Sequence, residues 1–503
     1  VNGAKPKLVI FSHICSQSFV TGAEKLLLLI TREMLRRFQC VLIVPQDGEI
    51  ADKARAMGIK IVMLDIPLCI SLYTAAPTIH EELAAMKKHP SWSRIHILLE
   101  EERPSCVLVN TSVHPLPALA SKALGIPTVW MLMETIMDSL DRKTAVELIS
   151  ANSDIVAGIS HSTLMPVHEH APQSKTFMLP PYMNRDELLP NSWPYHRMRL
   201  RQLYGWGEHH RVAGFLAATI YRSKGLEQFI DAMLPIAASD RRMRFLVLGK
   251  SADDAYYRHC QRLAAESGYS DRFIFLPFAE QIQHVFPVMD VVVVPSLVAE
   301  GFGMTALEGL VFGKGVVAFS SGGLTEILQA TGNREYLVPP GDVAGLTERV
   351  NALLSNDELR LAVGERNMAA AQQAFGVDAF RQRLDALIEQ LPPSMVRKRN
   401  SLWRGSGPTV YLVEHGVKRP FGSEQAFLQR GYAFEDVSAV PDEELQKLPS
   451  GPTLLGIGGT SARGGGKLRR RRATKAKRRR SVRRRGRSAG RKASGRKAQR
   501  RRR

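Results

Sequence analysis

The sequence predicts an α/β protein built from two doubly wound parallel-sheet units. Three observations lead there. Short β-branched runs alternate with segments of helical periodicity along most of the chain. The runs are apolar throughout, as strands covered on both faces must be. The alternation breaks once, near residue 195, and then restarts. A chain of 503 residues, too long for one ordinary core, therefore divides into two.

The first unit, residues 1–195, carries strand candidates at 7–13 (KLVIFSH), 40–45, 59–66, 106–112 (CVLVNTS), 127–134 (PTVWMLME) and 154–160. Between them GAEKLLLLITREMLRRF, EIADKARAMG and PALASKALG show helical spacing and glycine stops. LLPNSWPYHRM reads as a connector. The second unit, 196–375, has strands at 211–217, 244–249, 272–277, 291–296 (VVVVPS) and 315–321, each followed by a helix-like segment. Residues 376–392 read as a closing helix that packs back toward the first unit. A small α+β module follows at 393–455, with two strands around a His415-Gly416 turn, then a helix, a strand and a helix. Residues 456–503 are dominated by Gly, Ser, Ala, Lys and Arg and cannot bury a core, so they are expected to be disordered.

The net charge of +21 belongs to that tail. Residues 463–503 hold 23 Lys and Arg and no acid, which leaves −2 for residues 1–462. The tail lacks aromatics for base stacking, so sequence-specific nucleic-acid recognition is not expected. Its charge suits any polyanion, an anionic membrane or an acidic glycopolymer included. Five scattered cysteines form no CxxC pair, which fits a reducing compartment. No apolar run approaches the ~20 residues of a membrane span, and no signal peptide is apparent. The expectation is a cytoplasmic protein, with the tail offering peripheral attachment at the inner face of the membrane.

The sharpest chemical signal is PSLVAEGFGMTALEGLVFGKG, from Pro295 to Gly315. Glu300 lies in the loop after a buried strand. Gly301 and Gly303 let the backbone turn tightly and approach a ligand. A helix starts near Met304, and the amides of its first turn suit a phosphate. Glu308 follows one turn later, where a carboxylate can accept two hydroxyl hydrogen bonds, as from a ribose diol. GGLTEIL adds another glycine turn and Glu326, and YRSKG puts Arg222 and Lys224 after the unit's first strand. Glycine-backed amides, two cations and carboxylates at neighbouring strand ends suit a nucleoside diphosphate bearing a sugar. An ordinary strand–turn–helix with solvated glutamates is the bland alternative for the glycine turn taken alone.

The E-x7-E spacing of Glu300 and Glu308, its surroundings and the later YLVPPGD resemble the C-terminal domain of retaining glycosyltransferases of family 4, which have the GT-B fold. TGAEKLLLLITREML is similar to that family's GG-x-E loop and helix, and the resemblance spans about residues 5–392. It implies that Glu300 contacts the donor sugar beside the reacting carbon and that Lys224, with Arg222, binds the diphosphate. Amides from Phe302 through Gly303 and Met304 to Thr305 would hold sugar and phosphate oxygens. Glu308 would bind the ribose, and Gly22 would admit the donor from the opposite wall. No metal and no cofactor is implied beyond a UDP- or GDP-sugar as substrate. Acceptors would be an envelope glycan, a glycolipid or similar, in a bacterial-type setting. Two positions depart from the pattern. Thr219 stands where the family often has Arg, and Met133-Glu134 stands in place of a His-Asp pair.

His13 and His114, at strand ends, and Glu134 are further candidates to face the cleft, with structural roles as the alternative. His168-Glu169-His170 has metal-like spacing but reads as a solvated loop. The appended module resembles short repeats on bacterial envelope-associated proteins. The competing functional class is a non-catalytic polyanion-binding or scaffold protein that keeps a GT-B body. An epimerase or phosphorylase on the same fold is a third reading.

Overall fold

The computed structural model of the chain describes residues 5–17, 22–279, 281–391, 401–414, 417–430, 432, 434 and 437–455. The expected disorder of 456–503, the His415-Gly416 turn and residues 393–400 lie outside them. Among the described residues the first half forms β1 (Lys7–Phe11), β2 (Gln39–Val44), β3 (Lys60–Met63), β4 (Cys106–Asn110), β5 (Thr128–Leu132), β6 (Ile155–Gly158) and β7 (Thr176–Met178). They pair in the order β3-β2-β1-β4-β5-β6-β7, all parallel. The second half forms β8 (Arg211–Ile220), β9 (Met243–Ser251), β10 (Phe273–Leu276), β11 (Val291–Val294), β12 (Gly315–Phe319) and β13 (Leu337–Val338). Their order is β10-β9-β8-β11-β12-β13, again parallel.

Both orders reverse direction beside the first strand of their half, between β1 and β4 and between β8 and β11. Neighbouring loops diverge there and leave a crevice at the carboxyl ends of the strands. Val291–Val294 is buried along its whole length, as is Cys106–Asn110, which explains their unbroken apolar runs. One apolar cluster runs from Leu8 and Ile10 in the first half to Val292 and Leu307 in the second, so the halves share a core.

The helix Val377–Gln390 crosses back onto the first half. The Phe380 ring lies 4.6 Å from that of Tyr182, Arg381 Nε donates to Glu33 Oε2 at 2.7 Å, and Arg37 pairs with Asp385 at 3.0 Å. Two readings of the sequence need correction. The connector region contains the helix Trp193–Leu203, with Pro194 in its first turn, where a missing amide proton costs nothing. His168, Glu169 and His170 form the last turn of the helix His161–His170 rather than a loop, and His168 Nε2 lies 3.0 Å from Thr176 Oγ1.

The appended module is a mixed sheet of β14 (Ser401–Arg404), β15 (Val410–Glu414), β16 (Val417–Pro420) and β17 (Val437–Ala439), ordered β16-β15-β14-β17. Leu402, Val410, Leu412, Phe427 and Leu454 make its own small core. All five cysteines are buried and unpaired. Among the described residues no helix is long and apolar enough to cross a membrane.

Candidate functional site between the two halves

The loop after β8 ends in a short 3-10 turn, Arg222–Lys224, and Gly225 at φ +76° redirects the chain into the helix Leu226–Ser239. The loop after β11 runs beside it. These two loops flank the reversal point of the second sheet. Lys224 Nζ lies 2.6 Å from Glu300 Oε1, and Ser296 Oγ donates to the same oxygen at 2.7 Å. The Glu300 carbonyl accepts from Gly323 N at 2.8 Å, which ties its backbone to the loop after β12. Both side chains reach solvent in part, 32 % for Lys224 and 18 % for Glu300.

Glycine is required at two points of the turn that follows. A Cβ on Gly301 would overlap the Met133 carbonyl of the first half. Gly303 sits at φ +109°, a left-handed conformation that side-chain-bearing residues avoid, and a Cβ there would strike Leu324. The helix Met304–Val311 then starts with its first turn on the cleft.

The resulting cleft measures about 380 Å³. Its second-half wall includes Lys224, Ser296, Glu300 and the stretch Gly301–Thr305, with Phe302, Gly303, Met304 and Thr305. Its first-half wall includes Gly22, Ala23, Leu26 and Met133. A Cβ on Gly22 would meet no atom of the described residues within 4 Å, so their packing does not demand glycine there.

Among the described residues, contacts around the cleft that join the two halves include the following. Gly301 abuts Met133. Lys25 Nζ, on the helix Gly22–Met34, lies 3.2 Å from Glu308 Oε1. The Glu326 carboxylate accepts from His161 N and Ser162 N, both at 2.7 Å. The last contact places a negative group on the amino end of the helix His161–His170, which Ser160 already caps through Thr163 N. Glu326 is thereby committed to joining the halves.

The structure separates the remaining expected residues. Arg222 turns away from the cleft lining, with its guanidinium 4.6 Å above the Tyr256 ring and 3.6 Å from Glu227. Glu308 is outside the lining and faces Lys25. His114 is buried, edge-on to Phe11 with ring centroids 6.2 Å apart, and so does not face the open cleft. Burial holds its pKa down at about 3 and that of His13 at about 4. Glu134 accepts from Ser112 N at 3.2 Å and Ser112 Oγ at 2.7 Å. Burial pushes its carboxyl above the usual range against those bonds.

Asn110 and Thr111, which sequence reasoning missed, join the expected His13 and His114 at the reversal point of the first sheet. Both amide atoms of Asn110, the Thr111 hydroxyl, both ring nitrogens of His114 and Nδ1 of His13 are buried and find no hydrogen-bond partner among the described residues. Thr111 is held at φ +68°, strained for a β-branched residue. Burial, then the nearby Glu134 and Glu300 carboxylates, push the Tyr73 phenol up, which links this polar group to the cleft. The one sequence signal for it was the polar run NTSVH at the end of an apolar strand. Ser296 and Lys25 carried none beyond lying next to recognised motifs.

Residues 210–356 match the family of glycosyl transferases group 1. The chain is 31 % identical over 168 residues to the 2-deoxystreptamine glucosyltransferase of Streptomyces kanamyceticus, covering 33 % of this chain and 42 % of that protein. It is 25 % identical over 297 residues to the D-inositol 3-phosphate glycosyltransferase of Corynebacterium aurimucosum, covering 56 % and 69 %. The first two curated relatives it matches are spanned over less than half their length, 42 % and 48 %. The crystal structure of Anabaena HepE in complex with UDP and glucose superimposes with a TM-score of 0.62 at 20 % identity, over 77 % of this chain and all of that one. Two facing Rossmann-like halves and this likeness establish the GT-B fold, with a glycosyl transferases group 1 match across the second half.

Proposed function

We propose that this chain is a retaining glycosyltransferase that moves a hexose-like sugar from a nucleotide sugar, such as a UDP- or GDP-sugar, to a polyhydroxylated acceptor of glycan or glycolipid type. The observation that carries the reading is the Lys224–Glu300 pair at 2.6 Å, set at the reversal point of the second sheet and faced by Gly22. In this reading Glu300 accepts hydroxyls of the donor sugar beside its reacting carbon. Lys224 and the amides of Phe302–Thr305 take the diphosphate, and Glu308 takes the ribose diol. Packing among the described residues gives Gly22 no reason to be glycine, and close approach by a donor does.

The bond from the sugar carbon to the phosphate oxygen breaks, and its electron pair leaves with the diphosphate. The acceptor oxygen bonds on the same face, and its proton passes to the departing phosphate. Lys224 and the helix amides stabilise the charge that develops on the leaving group, and this reading assigns no metal to that task. The acceptor enters from the side of Tyr73 and Glu134. Relatives named for a 2-deoxystreptamine and an inositol phosphate, and a structural neighbour solved with UDP and glucose, support a sugar donor and a hydroxyl-bearing acceptor. The basic tail then serves to hold the enzyme at an anionic membrane face or polymer in the cytoplasm.

The test is donor breakdown. Incubation with UDP- and GDP-sugars should release nucleoside diphosphate, and Glu300→Ala should slow the release at least a hundredfold. Equal rates in the two proteins favour the scaffold reading instead.

A further inference from the structure

We propose that Lys25 is a ligand for the nucleoside diphosphate, contributed by the first half, and that it exchanges Glu308 for the diphosphate when a nucleotide binds. The inference rests on the donor site described above and adds a residue from the opposite wall. Lys25 belongs to the first turn of the helix Gly22–Met34, whose Gly22, Ala23 and Leu26 line the cleft. Its ammonium reaches Glu308 across 283 positions of sequence, at 3.2 Å.

The contact is poorly suited to being permanent. The Lys25 side chain is 45 % exposed, on a flexible four-carbon stem, whereas Glu308 is 12 % exposed. An ion pair with one partner so open to water contributes little to stability. Glu308 is also the carboxylate that the proposed site gives to the ribose diol. Two ribose hydroxyls can donate to its oxygens in place of the ammonium. Lys25 is then left beside the ribose, and the diphosphate extends from that same sugar.

Charge balance favours the exchange. The sequence pointed to Arg222 as the second phosphate cation, but Arg222 is stacked on Tyr256 and paired with Glu227. Among the described residues that line the cleft, Lys224 is the one cationic side chain, and it comes from the second half. Lys25 and the positive end of its own helix supply positive charge from the first half, next to the lining residues Gly22, Ala23 and Leu26. A diphosphate held from both walls would also draw the halves together, which a nucleoside without phosphates could not do.

The experiment compares wild type, Lys25→Met and Lys25→Arg by calorimetric titration with UDP, GDP, uridine and guanosine. The expected result is a tenfold to hundredfold loss of diphosphate affinity in Lys25→Met, about the scale of one charged hydrogen bond. Nucleoside affinity should be unchanged or slightly higher, and Lys25→Arg should recover most of the loss. Equal losses for nucleoside and diphosphate would make Lys25 structural and overturn the proposal. Unchanged or tighter diphosphate binding in Lys25→Met would make it only a competitor of the ribose, and would overturn it as well. Both outcomes leave nucleotide binding by wild type intact. A wild type that binds none of the four compounds removes the donor site itself, and this inference with it.

Discussion

Lys224→Met removes one charge and keeps most of the stem, so it separates what this lysine does for stability from what it does for reaction. Its ammonium sits 2.6 Å from Glu300 Oε1, but both side chains reach solvent, at 32 % and 18 %. A pair this exposed is worth at most ~1 kcal/mol. Glu300 keeps its hydrogen bond from Ser296 at 2.7 Å and regains water on its open side. The melting temperature should therefore fall by no more than ~4 °C, taking 2–4 °C per kcal/mol for a domain of this size. The reaction should lose far more. Withdrawing one preorganised donor from a developing anion costs about 10²–10³ in rate, ~3–4 kcal/mol. The assay is release of nucleoside diphosphate from the preferred nucleotide sugar, run beside thermal melts of the same samples. A rate loss under tenfold would refute the leaving-group role. A large rate loss accompanied by a melting shift well beyond ~4 °C would refute it too, because the lysine would then be holding the loop together.

His114 and His13 have folded pKa values of about 3 and 4, below the ~6.5 of an unfolded chain, so the unfolded state binds more protons as pH falls through 6.5. Each should cost ~2 kcal/mol of stability between pH 7 and pH 5, and urea titrations of His114→Phe should show a drop smaller by about that amount. The Lys314 ammonium donates to the Pro287 carbonyl at 3.3 Å, and burial lowers its pKa from 10.5 to about 7. The folded state therefore loses stability as pH falls from ~10.5 to ~7 and no further below that. Lys314→Met should be more stable than wild type at pH 7 and should flatten that slope, as measured by urea midpoints across pH 7–10. Glu326→Ala should cost ~1–2 kcal/mol by leaving the amides of His161 and Ser162 without their acceptor, and Glu326→Gln should lose less, read by the same unfolding experiment.

The sequence alone determined the two-sheet fold, because a strand buried on both faces leaves an unbroken β-branched run such as VVVV at 291–294. The partly exposed β3 and β10 still carried β-branched or aromatic runs that marked them. β7 is half-buried and β13 is two residues long, and both escaped the reading. The helix Trp193–Leu203 was hidden by proline and asparagine, which signal a turn until the proline is seen at a helix start. Glu300, Lys224 and the glycine turn were legible because each lies within a few residues of its own strand end, and adjacent parallel strands deliver their ends to one place. Only the tertiary structure decided which way Arg222 turns out of a three-residue helical turn, that His114 is sealed against Phe11, and that Asn110 and Thr111 leave buried polar atoms without partners among the described residues. Only it paired Lys25 with Glu308 and Glu326 with the amides of His161 and Ser162. Those pairings span 283 and 165 positions and depend on how the two sheets dock. Docking is set by surfaces from both halves at once, and no local periodicity records it.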